Sequence, residues 1–152
     1  MVGIISDTHG LVRPEAVAAL KNCELIIHAG DIGKPEILEA LRGIAPVVAV
    51  RGNNDKGAWA EAIAEREMVE VRGVPIYVLH DLKELDLDAS AAGLRVVVSG
   101  HSHKPSIEER QGIVYINPGS AGPRRFKLPV CVARMKVTTG RTVKVELVEL
   151  TV

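Results

Sequence analysis

The sequence predicts one α/β domain built on mixed β-sheets. Three observations carry that reading. The chain has 152 residues, 47% of them hydrophobic and 25% charged, which suits one soluble globular domain spanning residues 1–152. Its first third alternates short apolar β-rich runs with helical patterns. Its second half is a series of short strands joined across turn residues. A chain of this length buries roughly 68–70% of its unfolded surface, so folding does not depend on a disulfide or a structural metal.

The elements follow in order. "VGIIS" reads as a strand that stops at Asp7. "PEAVAALKN" reads as a helix, with Pro14 suited to the first turn. "ELIIHAG" is a second strand running to Asp31, and "KPEILEALRG" a second helix stopped at Gly43. "PVVAVRG" is a third strand running into Asn53. This β-α-β-α-β order predicts a parallel sheet flanked by helices. Downstream, "EMVEVRGVPIYVLH" reads as two strands across a turn, and "KELDLDASAAG" as a short helix or loop. "LRVVVSG" is a further buried strand. "SIEERQGIVYIN" and "VCVARMKVTTGRTVKVELVEL" each read as a strand pair. In the last pair, Val143, Val145 and Leu147 are expected on one face, Thr142, Lys144 and Glu146 on the other.

Composition excludes several functions. Formal net charge is +0 and aromatics are 3%, so neither a phosphate-coating field nor a base-stacking platform for long nucleic acid is expected. The 2 Cys, Cys23 and Cys131, lack metal-ligand spacing and fit small buried side chains in a reducing cytoplasm. "MVGIISDTHG" does not read as a signal peptide, and no apolar run nears the ~18 residues of a membrane span.

Polar residues gather at the predicted strand ends. Asp7 and His9 follow the first strand, Asp31 the second and Asn53 the third. His80 ends the fifth, and His101 and His103 follow the sixth, in "SGHSH". Ligands bind outside the carboxyl ends of strands in open α/β sheets, so these donors are expected on one rim. His101 and His103, at i and i+2, can share a side of extended chain. Carboxylate, imidazole and amide donors suit Mn²⁺, Fe²⁺, Co²⁺, Ni²⁺ or Zn²⁺. Seven donor residues are too many for one such ion, whereas two ions sharing a carboxylate would use them and could clamp a phosphoryl group.

With "SDTHG", "HAGD", "RGNND", His80, "SGHSH" and "INPGS" in this order, the sequence resembles the calcineurin-like metallophosphoesterases, closest to small phosphodiesterases of the YfcE type. The resemblance implies an α/β sandwich of two mixed β-sheets flanked by helices. It implies two divalent metal ions. Asp7, His9 and His103 match ligands of the first, Asn53, His80 and His101 those of the second, and Asp31 the bridging carboxylate. It implies attack on a small phosphodiester or phosphomonoester by a metal-bridging hydroxide. The family's third motif commonly carries His where Asn54 stands, at the catalytic position that serves the leaving group. Asn cannot deliver a proton at neutral pH, which predicts a preference for good leaving groups such as aryl esters. Ser120 and Arg124, in "INPGSAGPRR", are candidate substrate contacts. His28 is expected as a hydrogen-bonded core imidazole. Asp55 is expected either to cap a following helix or to fix the Asn53 loop. Asp81 either orients His80 or faces solvent.

One branch of this fold, the retromer subunit of endosomal sorting, serves as a protein-interaction scaffold, and that is the alternative function. The C-terminal strands offer an edge through which copies could pair as a homo-oligomer.

Overall fold

The computed structural model describes residues 1–152. The elements are β1 (Val2–Ile5), α1 (Pro14–Ala19), β2 (Leu25–His28), α2 (Pro35–Arg42), β3 (Val47–Ala49), α3 (Ala58–Glu61), β4 (Arg66–Val71), β5 (Val74–Leu79), a 3₁₀ turn (Leu82–Glu84), β6 (Val96–Val98), β7 (Ser106–Arg110), β8 (Ile113–Asn117), β9 (Cys131–Val137) and β10 (Val143–Glu149). They form two mixed five-stranded sheets, ordered β10-β9-β1-β2-β3 and β4-β5-β6-β8-β7. In the first, β1, β2 and β3 run parallel while β9 and β10 are antiparallel. In the second, β5, β6 and β8 run parallel while β4 and β7 are antiparallel edges.

The apolar runs explain the layering. Strands covered on both faces read as continuous hydrophobic stretches rather than alternating ones. Ile4, Ile27 and Met135 of the first sheet meet Ile76, Val78, Val96, Val98 and Ile116 of the second in a dry seam between the sheets. Their neighbours Ile5, Ile26 and Val132 point the other way, onto Leu20, Ile37, Leu38 and Leu41 from the α1 and α2 region. A smaller cluster of Tyr77, Leu79, Val97 and Ile113 packs under residues 82–94 on the outer face of the second sheet. Pro14 and Pro35 each open a helix, where the missing N–H costs nothing.

Some expected features differ. α1 ends at Ala19, short of the expected residue 22, because Asn22 has a left-handed φ of 66°. α3, one turn long, lies in a stretch with no periodic signal to show it. Between residues 83 and 93 only the 3₁₀ turn is helical. Leu147 is 38% exposed, outside the seam that Val143 and Val145 join, and Val148 instead packs on the helix side of the first sheet. β10 is an edge strand, and charged Lys144, Glu146 and Glu149 occupy its exposed positions. No helix is long and apolar enough to cross a membrane.

The seam predicts an asymmetry in stability. Ile4→Ala, at a fully buried position of β1, should cost about 2–5 kcal/mol in urea unfolding. Leu147→Ala should cost only about 0.5 kcal/mol.

Candidate metal centre

The carboxyl ends of six parallel strands, three from each sheet, open onto the same rim. Beyond the strands the backbone goes on pairing. Asp7 N–H donates to Gly30 O (2.9 Å), His9 N–H to Asp31 O (2.9 Å) and Gly10 N–H to Ile32 O (2.8 Å), so the loops after β1 and β2 are zipped together. Gly100 N–H donates to His80 O (2.9 Å), which does the same for the loops after β5 and β6. The chain turns sharply where the side chains converge. Asp7, His9, Asp31, His101 and His103 all have positive φ, between 45° and 69°. Non-glycine residues rarely adopt that conformation, which surrounding contacts must hold in place. Two glycines make the convergence possible. A Cβ on Gly52 would overlap Asp31, and one on Gly100 would overlap Ser6 Oγ and lie 2.6 Å from Asp7 Oδ2.

Asp7 is fully buried. Its Oδ2 accepts from Ser6 Oγ (2.7 Å) and from His101 N–H (3.1 Å), which links the two sheets. Its Oδ1 has no hydrogen-bond partner. Three imidazole nitrogens face that oxygen, His103 Nε2 at 3.3 Å, His9 Nε2 at 3.8 Å and His80 Nε2 at 3.9 Å. His9 Nε2 and His103 Nε2 stand 3.4 Å apart. Asp31 Oδ2 lies 3.3 Å from His80 Nε2 and 3.7 Å from His9 Nε2. Donor atoms ~2.1 Å from one ion sit ~3–3.5 Å from each other, so this spacing fits a divalent metal. Two overlapping sets each bring one donor atom per residue within 4.8 Å of one another, Asp7 with His9 and His103, and Asp7 with Asp31 and His80. Asn53 and His101 complete a neighbouring group, His101 Nδ1 being 3.2 Å from Asn53 Oδ1 and the His101 ring 5.2 Å from that of His80.

The electrostatics reflect this crowding. Burial pulls the His80 pKa down. The hydrogen bond to Asp31 and the charges of Asp7 and Asp31 outweigh it and hold the group up at about 9. Burial alone would raise the Asp31 carboxyl. The His80 bond and the Asn54 donors reverse that and hold it well below the usual range. His80 Nδ1–H donates to Ala29 O (2.7 Å) across the sheets, which leaves Nε2 aimed at the carboxylates.

The remaining predicted residues have defined places. Asn54 donates to Asp31 twice, from its backbone to Oδ1 (2.9 Å) and from Nδ2 to Oδ2 (3.0 Å). Ser120 is buried and its hydroxyl is committed, donating to Asp7 O (3.0 Å) and accepting from Gly122 N–H (3.2 Å). Arg124 is exposed on the loop before β9. His28 is buried and neutral; burial lowers its pKa to about 4. Its Nδ1 accepts from Gly30 N–H, so Nε2–H donates to Thr8 Oγ1, which donates to Ile32 O. Asp55 fixes the loop. Its carboxylate accepts from the backbone of Ile32, Gly33 and Gly52, while Gly57 occupies the N-cap of α3. Asp81 caps the 3₁₀ turn and lies 3.8 Å from His101, and Ala29 does the orienting of His80. Sequence reasoning passed over Ser6 and Asn117. Asn117 ends β8, donates to Gly100 O and Ser102 Oγ and so braces the His101 turn. The strand-end criterion that found the other donors also selects it.

Comparison with known proteins shows the family. The sequence model of the calcineurin-like phosphoesterase superfamily domain matches residues 1–140. A probable metallophosphoesterase of Methanothermobacter thermautotrophicus is 38% identical over 141 residues, covering 85% of this chain and 81% of that protein. Among solved structures, an archaeal phosphodiesterase superposes with a TM-score of 0.78 at 23% identity, covering 97% of this chain and 99% of the other. Vps29 of Entamoeba histolytica, solved with Zn²⁺, superposes with a TM-score of 0.75 at 21% identity over 97% of this chain and 98% of its own. The fold, the order of the motifs and the match over most of the length lead to one assignment: the chain belongs to the calcineurin-like phosphoesterase superfamily.

Proposed function

We propose that this protein is a metal-dependent phosphoesterase that hydrolyses small phosphodiesters. In this reading two divalent cations, of the Mn, Ni, Fe, Co or Zn type, are held by Asp7, His9, Asp31, Asn53, His80, His101 and His103. The observation that carries it is the buried Asp7 Oδ1, free of hydrogen bonds and faced by three imidazole nitrogens within 3.9 Å. A buried carboxylate oxygen without a lysine, arginine or hydrogen-bond partner is costly unless a cation compensates it. Such a pair of ions, when bound, supplies a nucleophilic water ionised near neutral pH and positive charge opposite the phosphoryl oxygens.

The chain's own residues set the rest. Ser6 and the His101 N–H lock the Asp7 carboxylate in one orientation. Ala29 selects the His80 tautomer. Asn54 steadies Asp31 and has no proton to give a departing alcohol, so the reading favours esters whose alcohol leaves as a stable anion. That loss is also what favours the second reading, a non-catalytic scaffold. The complete set of donors weighs towards catalysis.

The purified protein loaded with Mn²⁺ or Ni²⁺ should hydrolyse bis-p-nitrophenyl phosphate and stop on treatment with EDTA; full activity after exhaustive chelation contradicts the reading. Asp31→Asn should lower turnover by about 100-fold or more and reduce bound metal measured by elemental analysis. Asn54→His should raise activity on monoesters with poor leaving groups while metal content holds. Metal uptake should depend on pH. A ligating imidazole must be neutral, so with His80 at about 9 a proton is displaced below that pH and affinity climbs towards it. Calorimetric titrations in buffers of different ionisation enthalpy read that proton. Without metal, the His80 contribution to stability is complete below its unfolded pKa of about 6.5 and fades as pH rises through about 9.

A further inference from the structure

A groove of about 540 Å³ opens on the outer face of the second sheet, between β7, β8 and the segment after β5. Its lining includes His101, the same residue whose Nδ1 stands 3.2 Å from Asn53 Oδ1. We infer that this groove receives a nucleoside, carried as the ester group that does not depart, of the phosphodiester substrate. The inference rests on the phosphoesterase reading and names the substrate class for it.

Three features argue for that occupant. The first is continuity. His101 is shared between the candidate metal centre and the groove; the other recess at the centre, lined by Asn53, His80 and His101, is about 170 Å³ against about 540 Å³, so the groove is the one with room for a large substituent of a phosphoryl group held at the rim. The second is a flat surface. The Arg110 guanidinium carbon lies 4.3 Å over the Tyr115 ring centroid, and the Arg110 side chain remains 58% exposed. A guanidinium plane backed by an aromatic ring is a stacking surface for another flat, electron-rich ring. The third is charge balance. Lys83 and Arg110 are matched by Asp81 and Glu108 along the walls. Such a lining does not select a second anion. It offers both donors and acceptors, as the edges of a neutral base require. A single stack and a balanced lining suit one nucleoside, and a protein with formal net charge +0 has no basic track to follow a longer strand. Aryl groups without hydrogen-bonding edges would gain the stack alone.

The test compares two diesters with the same leaving group, thymidine 5′-p-nitrophenyl phosphate and methyl p-nitrophenyl phosphate, on the metal-loaded enzyme. The nucleoside ester should show a kcat/KM at least about tenfold higher. Arg110→Ala should raise KM for the nucleoside ester about tenfold, in line with the worth of a base stack, and leave the methyl ester unchanged. Arg110→Lys keeps the charge and loses the plane, so it should behave like Arg110→Ala rather than wild type. Thermal unfolding of both variants checks that the fold is intact. Equal kcat/KM for the two esters, or losses in Arg110→Ala that are the same for both, overturn the groove assignment while leaving the phosphoesterase reading in place. Failure to hydrolyse either ester with metal bound overturns the phosphoesterase reading, and the groove assignment with it.

Discussion

The rim is organised around one costly object, the buried carboxylate of Asp7. An ionised group removed from water must find compensation, and neither lysine nor arginine reaches this one. Its neighbours are instead a hydroxyl from the adjoining residue, a backbone N–H from the opposite sheet and three imidazoles. Asp31 extends the arrangement, tied to the third-strand loop by Asn54 and to the second sheet by His80. Two carboxylates, each touching groups from both sheets, fasten the sandwich at the end where its chemistry is expected. At the other end the exposed Glu24 and Arg72 form a two-point ion pair between the same sheets. Exposed pairs of that sort contribute little to stability, so the rim contacts and the apolar seam hold the layers.

Local strain accompanies the gathering of donors. Five of the seven candidate ligands sit in left-handed backbone, as do only five other non-glycine residues in the chain. The others are found at turns and exposed loops, where nothing converges. Around the carboxylates, tight turns let each loop double back within a few residues and send one side chain inward. The backbone ladder that continues past β1 and β2 stabilises those turns, and Asp55 adds three further acceptor contacts. Gly52 and Gly100 give the two carboxylates room. The "GN" and "GH" steps of the motifs are thus steric requirements as well as chemical ones.

Much of this was legible in the residues. Doubly covered strands such as "VGII" and "VPIYVL" leave long apolar runs, and the residues just beyond a parallel strand are bound to lie on the rim. Asp7, Asp31, Asn53, His80, His101 and His103 could therefore be grouped from the sequence alone. The features that escaped have physical reasons. Asn117 stands at a strand end like the other donors, but its side chain is taken up by Gly100 O and Ser102 Oγ, a bracing role that no ligand motif marks. Ser120 looked available because its hydroxyl is polar, but the long return from β8 to β9 passes under Asp7 and absorbs it. Leu147 followed the strand alternation, yet an edge strand leaves part of its inner face uncovered. α3 is a single turn, shorter than any periodicity can reveal.

The seam between the sheets has a role beyond holding them. It is made largely of valine and isoleucine, side chains stiff at χ1, with Met135 as the one pliable member. Its thickness sets how far Asp7 and Asp31, rooted in one layer, stand from His80 and His101, rooted in the other. The aliphatic filling therefore works as a shim beneath the donors. Trimming or padding it far below the surface alters their spacing, and with it the size of cation that the proposed site would accommodate.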